Sequence, residues 1–288
     1  MSLEPQRSQR AQRYRAFVSF VFLVLFVVQA LVVNDQPMAA QAGAQRTPKA
    51  AAVFDPSGYW VPLITEDWRW RMVTPPKGDY ASLPLNNEGR RVADSWDLAK
   101  DDAAGNQCKA FGVGGISRQP GRLRVSWQDD NTLKFEYDAG TQTRLLRFGA
   151  PPAAPGERSW QGLSVAEWDT PPAGRGAAGN AVGAGGAAAP ATGARPRGAL
   201  KVTTTNVREG YLRKNGVPYS ENAVITEYVD RLGPEPDGSV LLLVQTRVDD
   251  PKYLQQTFIT STHYRLEADG AAKWNATPCR TDPPAPVK

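Results

Sequence analysis

Histidine is nearly absent from this sequence. His263 is the only one in 288 residues, so no histidine-rich metal centre can be built. No G-x-S-x-G occurs anywhere, and although His263 has Thr260, Ser261 and Thr262 beside it, a Ser–His–Asp triad needs its nucleophile on a strained turn. Gly112-Val113-Gly114-Gly115 lacks the lysine and following amphipathic helix of a phosphate cradle. Asn275-Ala276-Thr277 matches a glycosylation sequon by composition alone. An excess of one charge sign is also missing. The net charge is +5, and Arg7, Arg10, Arg13 and Arg15 crowd the first residues, leaving 30 basic against 27 acidic residues beyond position 44. Spread along the chain, so small a surplus leaves no footprint for nucleic acid. No cofactor is expected.

Cysteine is scarce too, with only Cys108 and Cys279. An even count in an oxidising compartment favours a disulfide, closing a loop of 171 residues; two buried thiols are the alternative.

The compartment is set by the one long apolar run. Residues 16–33 read AFVSFVFLVLFVVQALVV, interrupted only by Ser19 and Gln29, and follow the arginine-rich start. That is the order of an export signal, and Ala40-Gln41-Ala42 and Ala42-Gly43-Ala44 offer small-x-small cleavage sites. The run also reaches the length of a spanning helix, so residues 1–44 are expected to be a signal peptide or a retained anchor. Either way the rest of the chain is expected in the periplasm or outside the cell, touching a membrane only through residues 16–33.

Residues 45–53 read as a flexible lead-in, and from Phe54 the dominant period is two. Arg122 to Trp127, Leu133 to Tyr137 and Thr141 to Phe148 alternate around the turns Asp129-Asp130-Asn131 and Asp138-Ala139-Gly140, as a meander does. Asp67-Trp68-Arg69-Trp70-Arg71-Met72 shows the same alternation, as do Trp160 to Trp168, Leu200 to Arg208, Ala223 to Leu232, Val240 to Val248 and Thr257 to Glu267. About nine or ten short-looped strands predict an all-β, antiparallel up-and-down sheet closing into a barrel, or folding as a two-layer sandwich. One short helix is expected over Asn87 to Lys100, capped by Asn86 or Asn87. Residues 169–198, nearly all Gly, Ala, Pro, Thr and Arg, read as a disordered insert in a single domain of residues 54–280, with 281–288 as a tail.

Gly58-Tyr59-Trp60 at the first strand resembles the G-x-W that opens lipocalin-type barrels, where the Trp plugs the closed end and an Arg from the last strand stacks across it. Arg265 is the position that resemblance assigns to the Arg. The strings DWRWRMVTPPKGDYA, PLNNEGRRVAD, WQDDNTLKFEYDAGTQTR and KNGVPYSENA are similar to those of uncharacterised exported bacterial proteins, over most of residues 54–280. That likeness implies no activity. It does imply that Cys108 and Cys279 belong to the fold and that 169–198 is a variable insert.

Tryptophan is plentiful, with eight residues, and six of them fall on expected strands. Lining a barrel, Trp60, Trp68, Trp70, Trp127 and Tyr137, with Arg265, would hold a small apolar or amphipathic ligand without catalysis. If the aromatics fill the core instead, an envelope structural or interaction module follows, whose outer face or Gly/Ala tract meets a protein partner. An unrecognised hydrolase is a third reading; Glu66 and Asp67, with Arg69 and Arg71, could suggest an acid–base site, but neighbours on a strand point to opposite faces and the row reads as a polar strand face.

Overall fold

A computed structural model describes residues 46–64, 67–153, 156–170 and 198–284. The expected signal or anchor, Glu66 and nearly all of the 169–198 insert lie outside the described residues. Among those described, no helix is long and apolar enough to cross a membrane.

Nine strands close into a barrel in the order β1-β11-β10-β9-β6-β5-β4-β3-β2. They are β1 (Gly58–Leu63), β2 (Leu123–Asp129), β3 (Thr132–Tyr137), β4 (Gln142–Phe148), β5 (Leu163–Asp169), β6 (Ala199–Thr205), β9 (Val224–Leu232), β10 (Leu241–Asp249) and β11 (Phe258–Leu266). A ring of nine cannot alternate direction all the way round, so one neighbouring pair must be parallel. That pair is β4–β5, with Leu146 opposite Ser164 and Phe148 opposite Ala166. The stretch between them, residues 149–162, has the length that a parallel connection needs. Closure runs through β1, where Trp60 faces Leu266 of β11 and Leu123 of β2.

Alternation decides what enters the barrel. Leu123, Val125, Leu133, Phe135, Leu146, Leu200, Val202, Val229, Leu242 and Val244 are the buried phase of their strands and form the main core with Trp60. One end is closed by aromatics. Trp127 stacks on Phe148 at 5.8 Å between ring centres, Phe148 meets Trp168 at 5.7 Å, and Phe54 meets Trp168 edge-on at 5.3 Å. The lead-in docks on this end, for Pro48 accepts a 2.8 Å hydrogen bond from Trp168 Nε1 and Lys49 N donates to Asp130 O at 3.1 Å.

The opposite end is plugged by the long excursions. The hairpin of β7 (Gly210–Arg213) and β8 (Val217–Tyr219) turns through Asn215-Gly216, where Gly216 has φ +81°. Its Leu212, Val217 and Tyr219 pack with Leu85, Val113 and Leu254 against Ile225 and Val248 of the barrel, forming a second core. Sequence alternation did not separate this hairpin from its surroundings, because every residue of both strands is buried and, in the turn, all but Lys214.

Two local expectations are corrected. Asp67 to Met72 is not a strand. Asp67 has φ 52° and Trp68–Arg71 forms one turn of helix, α1, closed by bonds from Arg71 N to Asp67 O and Met72 N to Trp68 O. Six residues alternating aromatic with arginine fit a strand or a turn whose side chains fan apart, and here Arg71 is the side chain that goes inside. The helix expected over 87–100 is two helices, α2 (Asn87–Asp94) and α3 (Leu98–Ala103). Asn86 caps α2 by accepting from Gly89 N at 2.8 Å, while Asp97 caps α3 by accepting from Ala99 and Lys100.

Gly89 gives a test of this packing. Helix propensity alone makes Gly89→Ala stabilising by about 1 kcal/mol. An added Cβ would lie 2.2 Å from the carbonyl oxygen of Tyr253, a rigid backbone atom. The substitution is expected to destabilise by about 1–3 kcal/mol, read as a lower urea midpoint; an unchanged or raised midpoint would mean that α2 does not press on the 250–257 loop.

Candidate functional site

The side chains expected to line an aromatic pocket are divided between the barrel interior, its aromatic end and α1. Trp60, Leu123, Leu133, Leu146, Leu200, Val202 and Leu242 are all 0 % exposed, which means that no water-sized space touches them. Trp60 sits in the interior and donates Nε1–H to Pro56 O at 2.9 Å. Trp127 is a half-buried member of the aromatic end. Tyr137 is buried with its hydroxyl 3.3 Å from Ser117 Oγ, and burial pushes its pKa up. Arg265 lies on the exposed phase of β11, opposite Val61, so it does not stack across Trp60. Trp68 and Trp70 lie on α1, outside the barrel. Asp67 accepts from Arg118 Nη2 at 2.8 Å and no acid–base pair is formed there among the described residues.

The interior also holds charge. Arg144 and Glu227 form a two-bond ion pair of 3.1 and 2.5 Å, 1 % and 3 % exposed. Ser164 and Thr204 lie 2.8 Å apart beside it and both accept from Arg144 Nη2. Burial opposes the charge on Arg144, but the field of Glu227 outweighs it and the pKa is raised.

The surface is uneven. Six large apolar side chains are exposed among the described residues, and three of them, Trp68, Met72 and Val73, fall within one stretch. Trp68 and Met72 are four apart around α1 and so share a side of the turn. What holds them out is a polar clamp. Trp70 lies between Arg69 at 4.9 Å and Arg213 at 4.6 Å, and its Nε1 donates to Asp79 Oδ2 at 3.0 Å. Asp79 is also 2.7 Å from Arg69 Nη2. Although burial works against its charge, the bonds from Trp70 and Arg69 hold its carboxyl below the usual range. Arg213 donates to Asp79 O and Ala81 O, and burial with the nearby Arg118 charge lowers its pKa to about 10. Arg71, 2 % exposed, donates to Leu63 O and Arg118 O, and Arg118 reaches Thr260 on β11. The turn carrying Trp68 is therefore tied to the barrel rim by several charge-assisted bonds.

Met72 also borders a groove of about 510 Å³. Its floor and walls include Phe111, Pro120 and Ala139, with Lys214 from the β7–β8 turn on one side and Thr277, Pro278, Arg280 and Asp282 from the C-terminal segment on the other. That segment is tied down by the Cys108–Cys279 disulfide, whose Cα atoms are 5.1 Å apart. The bond was expected from the cysteine count; the groove it helps to wall was not, because its lining comes from five separate stretches of chain. The described residues contain no cluster of acids, cysteines and histidine able to hold a metal ion.

Compared with family models, with curated proteins and with solved structures, the chain matches none.

Proposed function

We propose that this chain is an exported, non-enzymatic interaction module of the cell envelope, in which a filled barrel is the scaffold and the α1 face is the part that meets a protein partner. The observation that carries this reading is the pairing of a solid interior with a pinned, exposed Trp68-Met72-Val73 cluster. Trp, Met and Arg are the residues enriched at protein interfaces, and anchors held rigidly before binding lose little entropy on association. Export is supported by the arginine-rich start and the apolar run of residues 16–33. A ligand enclosed by the barrel has no support from the buried aromatics.

Photocrosslinking in the exporting cell tests the proposal. A photoreactive residue in place of Trp68 is expected to give one discrete protein adduct, and the same residue at Glu167, on the exposed barrel wall, none. With the adducted partner in hand, Trp68→Ala should weaken binding by tenfold or more, the ordinary size of an interface hot spot. Equal adducts from both positions, or unchanged binding by Trp68→Ala, would remove the α1 face from the function.

A further inference from the structure

Lys214 is the unusual member of the groove. It lies in the β7–β8 turn, half-buried, and among the described residues no carboxylate forms an ion pair with its ammonium, although Asp282 acts on it from the same lining. The other charges on the lining neutralise each other, since Arg280 Nε is 3.1 Å from Asp282 Oδ1. The lining therefore carries one net positive charge, shared among Lys214, Arg280 and Asp282, beside the apolar Met72, Phe111 and Ala139 and the polar Gln119. Grooves of a few hundred Å³ that combine apolar walls with a few fixed polar groups are what small ligands occupy.

We infer that this groove is a binding site for a small amphipathic monocarboxylate, its carboxylate against Lys214 and its apolar chain along Met72, Phe111 and Ala139. The inference goes beyond the protein-partner face, because it concerns a small molecule and, apart from Met72 at the border of both, other side chains. Ion pairing repays a desolvated ammonium for the water it has lost, and a carboxylate brings the complementary charge. Burial lowers the Lys214 pKa, with Asp282 opposing. A bound carboxylate would raise it again. The sign follows: in mildly alkaline buffer the complex holds more protons than the free protein, and affinity falls as pH rises through the free Lys214 pKa.

The experiment is calorimetric titration of the oxidised full chain with octanoate, octanamide and octylammonium, each below its micellar concentration. Octanoate is expected to bind at least tenfold more tightly than octanamide, octylammonium not at all, and octanoate binding to take up protons in alkaline buffer. Lys214→Met should cost tenfold or more, Lys214→Arg should restore most of the loss, and Trp68→Ala should leave octanoate affinity unchanged. Equal affinity for acid and amide, no octanoate binding, or full affinity in Lys214→Met would overturn the inference. A failure of the α1 interface reading would show only in the crosslinking experiment. Thermal midpoints of the Lys214 variants within a degree or two of the parent show that lost binding is not lost folding.

Discussion

Glu227→Leu alone should be among the most damaging single changes in this protein, and Arg144→Met together with Glu227→Leu should recover most of the loss. The single change leaves the Arg144 guanidinium inside the barrel with no carboxylate, only the neutral oxygens of Ser164 and Thr204, at 3.4 and 3.3 Å, and the Tyr137 hydroxyl. Stranding one partner of a buried ion pair costs about 3–5 kcal/mol. For a chain of this size that is a fall in unfolding midpoint on the order of 10 °C. Phe135 faces Arg144 across β3–β4 and Val202 faces Glu227 across β6–β9, so apolar replacements of similar volume meet apolar neighbours. Replacing both charges removes two desolvation costs along with one attraction, an exchange that is often neutral or stabilising. Urea unfolding of the four proteins in the cycle measures it. A single-mutant cost below about 1 kcal/mol would mean that water reaches the pair, contrary to a filled interior.

The second large effect belongs to the disulfide. Cys279→Ala paired with Cys108→Ala, which avoids a stray thiol, should lower the midpoint in oxidising buffer by roughly 10 °C and abolish its sensitivity to reductant. Closing a loop of 171 residues contributes about 5 kcal/mol in the chain-entropy model, an upper figure because the untied native tail also gains freedom. Without the bond the C-terminal segment keeps Thr277 N to Asp138 O and Thr141 Oγ1 to Thr277 O, both 2.8 Å, and Trp274 packed edge-on with Tyr59 at 5.9 Å. Those contacts lie at the surface, so the segment should be the first region of the variant to lose amide protection. Octanoate binding should weaken with it, because Thr277, Pro278, Arg280 and Asp282 are one wall of the groove. An unchanged midpoint in the cysteine-free variant, with the reduced parent unfolding as the oxidised one does, would show that the crosslink does not constrain the unfolded chain.

The period-two alternation of β2, β3, β4, β9, β10 and β11 was enough, read in sequence, to determine an all-β chain and the faces of most barrel strands, because a strand with one wet side must alternate. The even cysteine count favoured a disulfide over two buried thiols, and the structure contains it. The inward charges are legible in the pattern: Arg144 and Glu227 occupy the buried phase of β4 and β9, where an opposite-charge pair fits. Other features were not local. Asp67 to Met72 alternates like a strand yet folds as a turn, because burying Arg71 against Leu63 O and Arg118 O depends on segments distant in sequence. Whether the tryptophans lined a cavity or filled it depended on barrel radius and on the plug from residues 67–121 and 207–223, neither of which a single strand encodes. The parallel β4–β5 junction follows from the count of nine strands, which only closure through β1 and β2 fixes. The groove around Lys214 exists because the disulfide, the β7–β8 turn and the C-terminal segment meet there. Strand-level pattern thus determined which side chains face inward, and tertiary closure alone decided what they enclose, since enclosure is a property of elements brought together from across the chain.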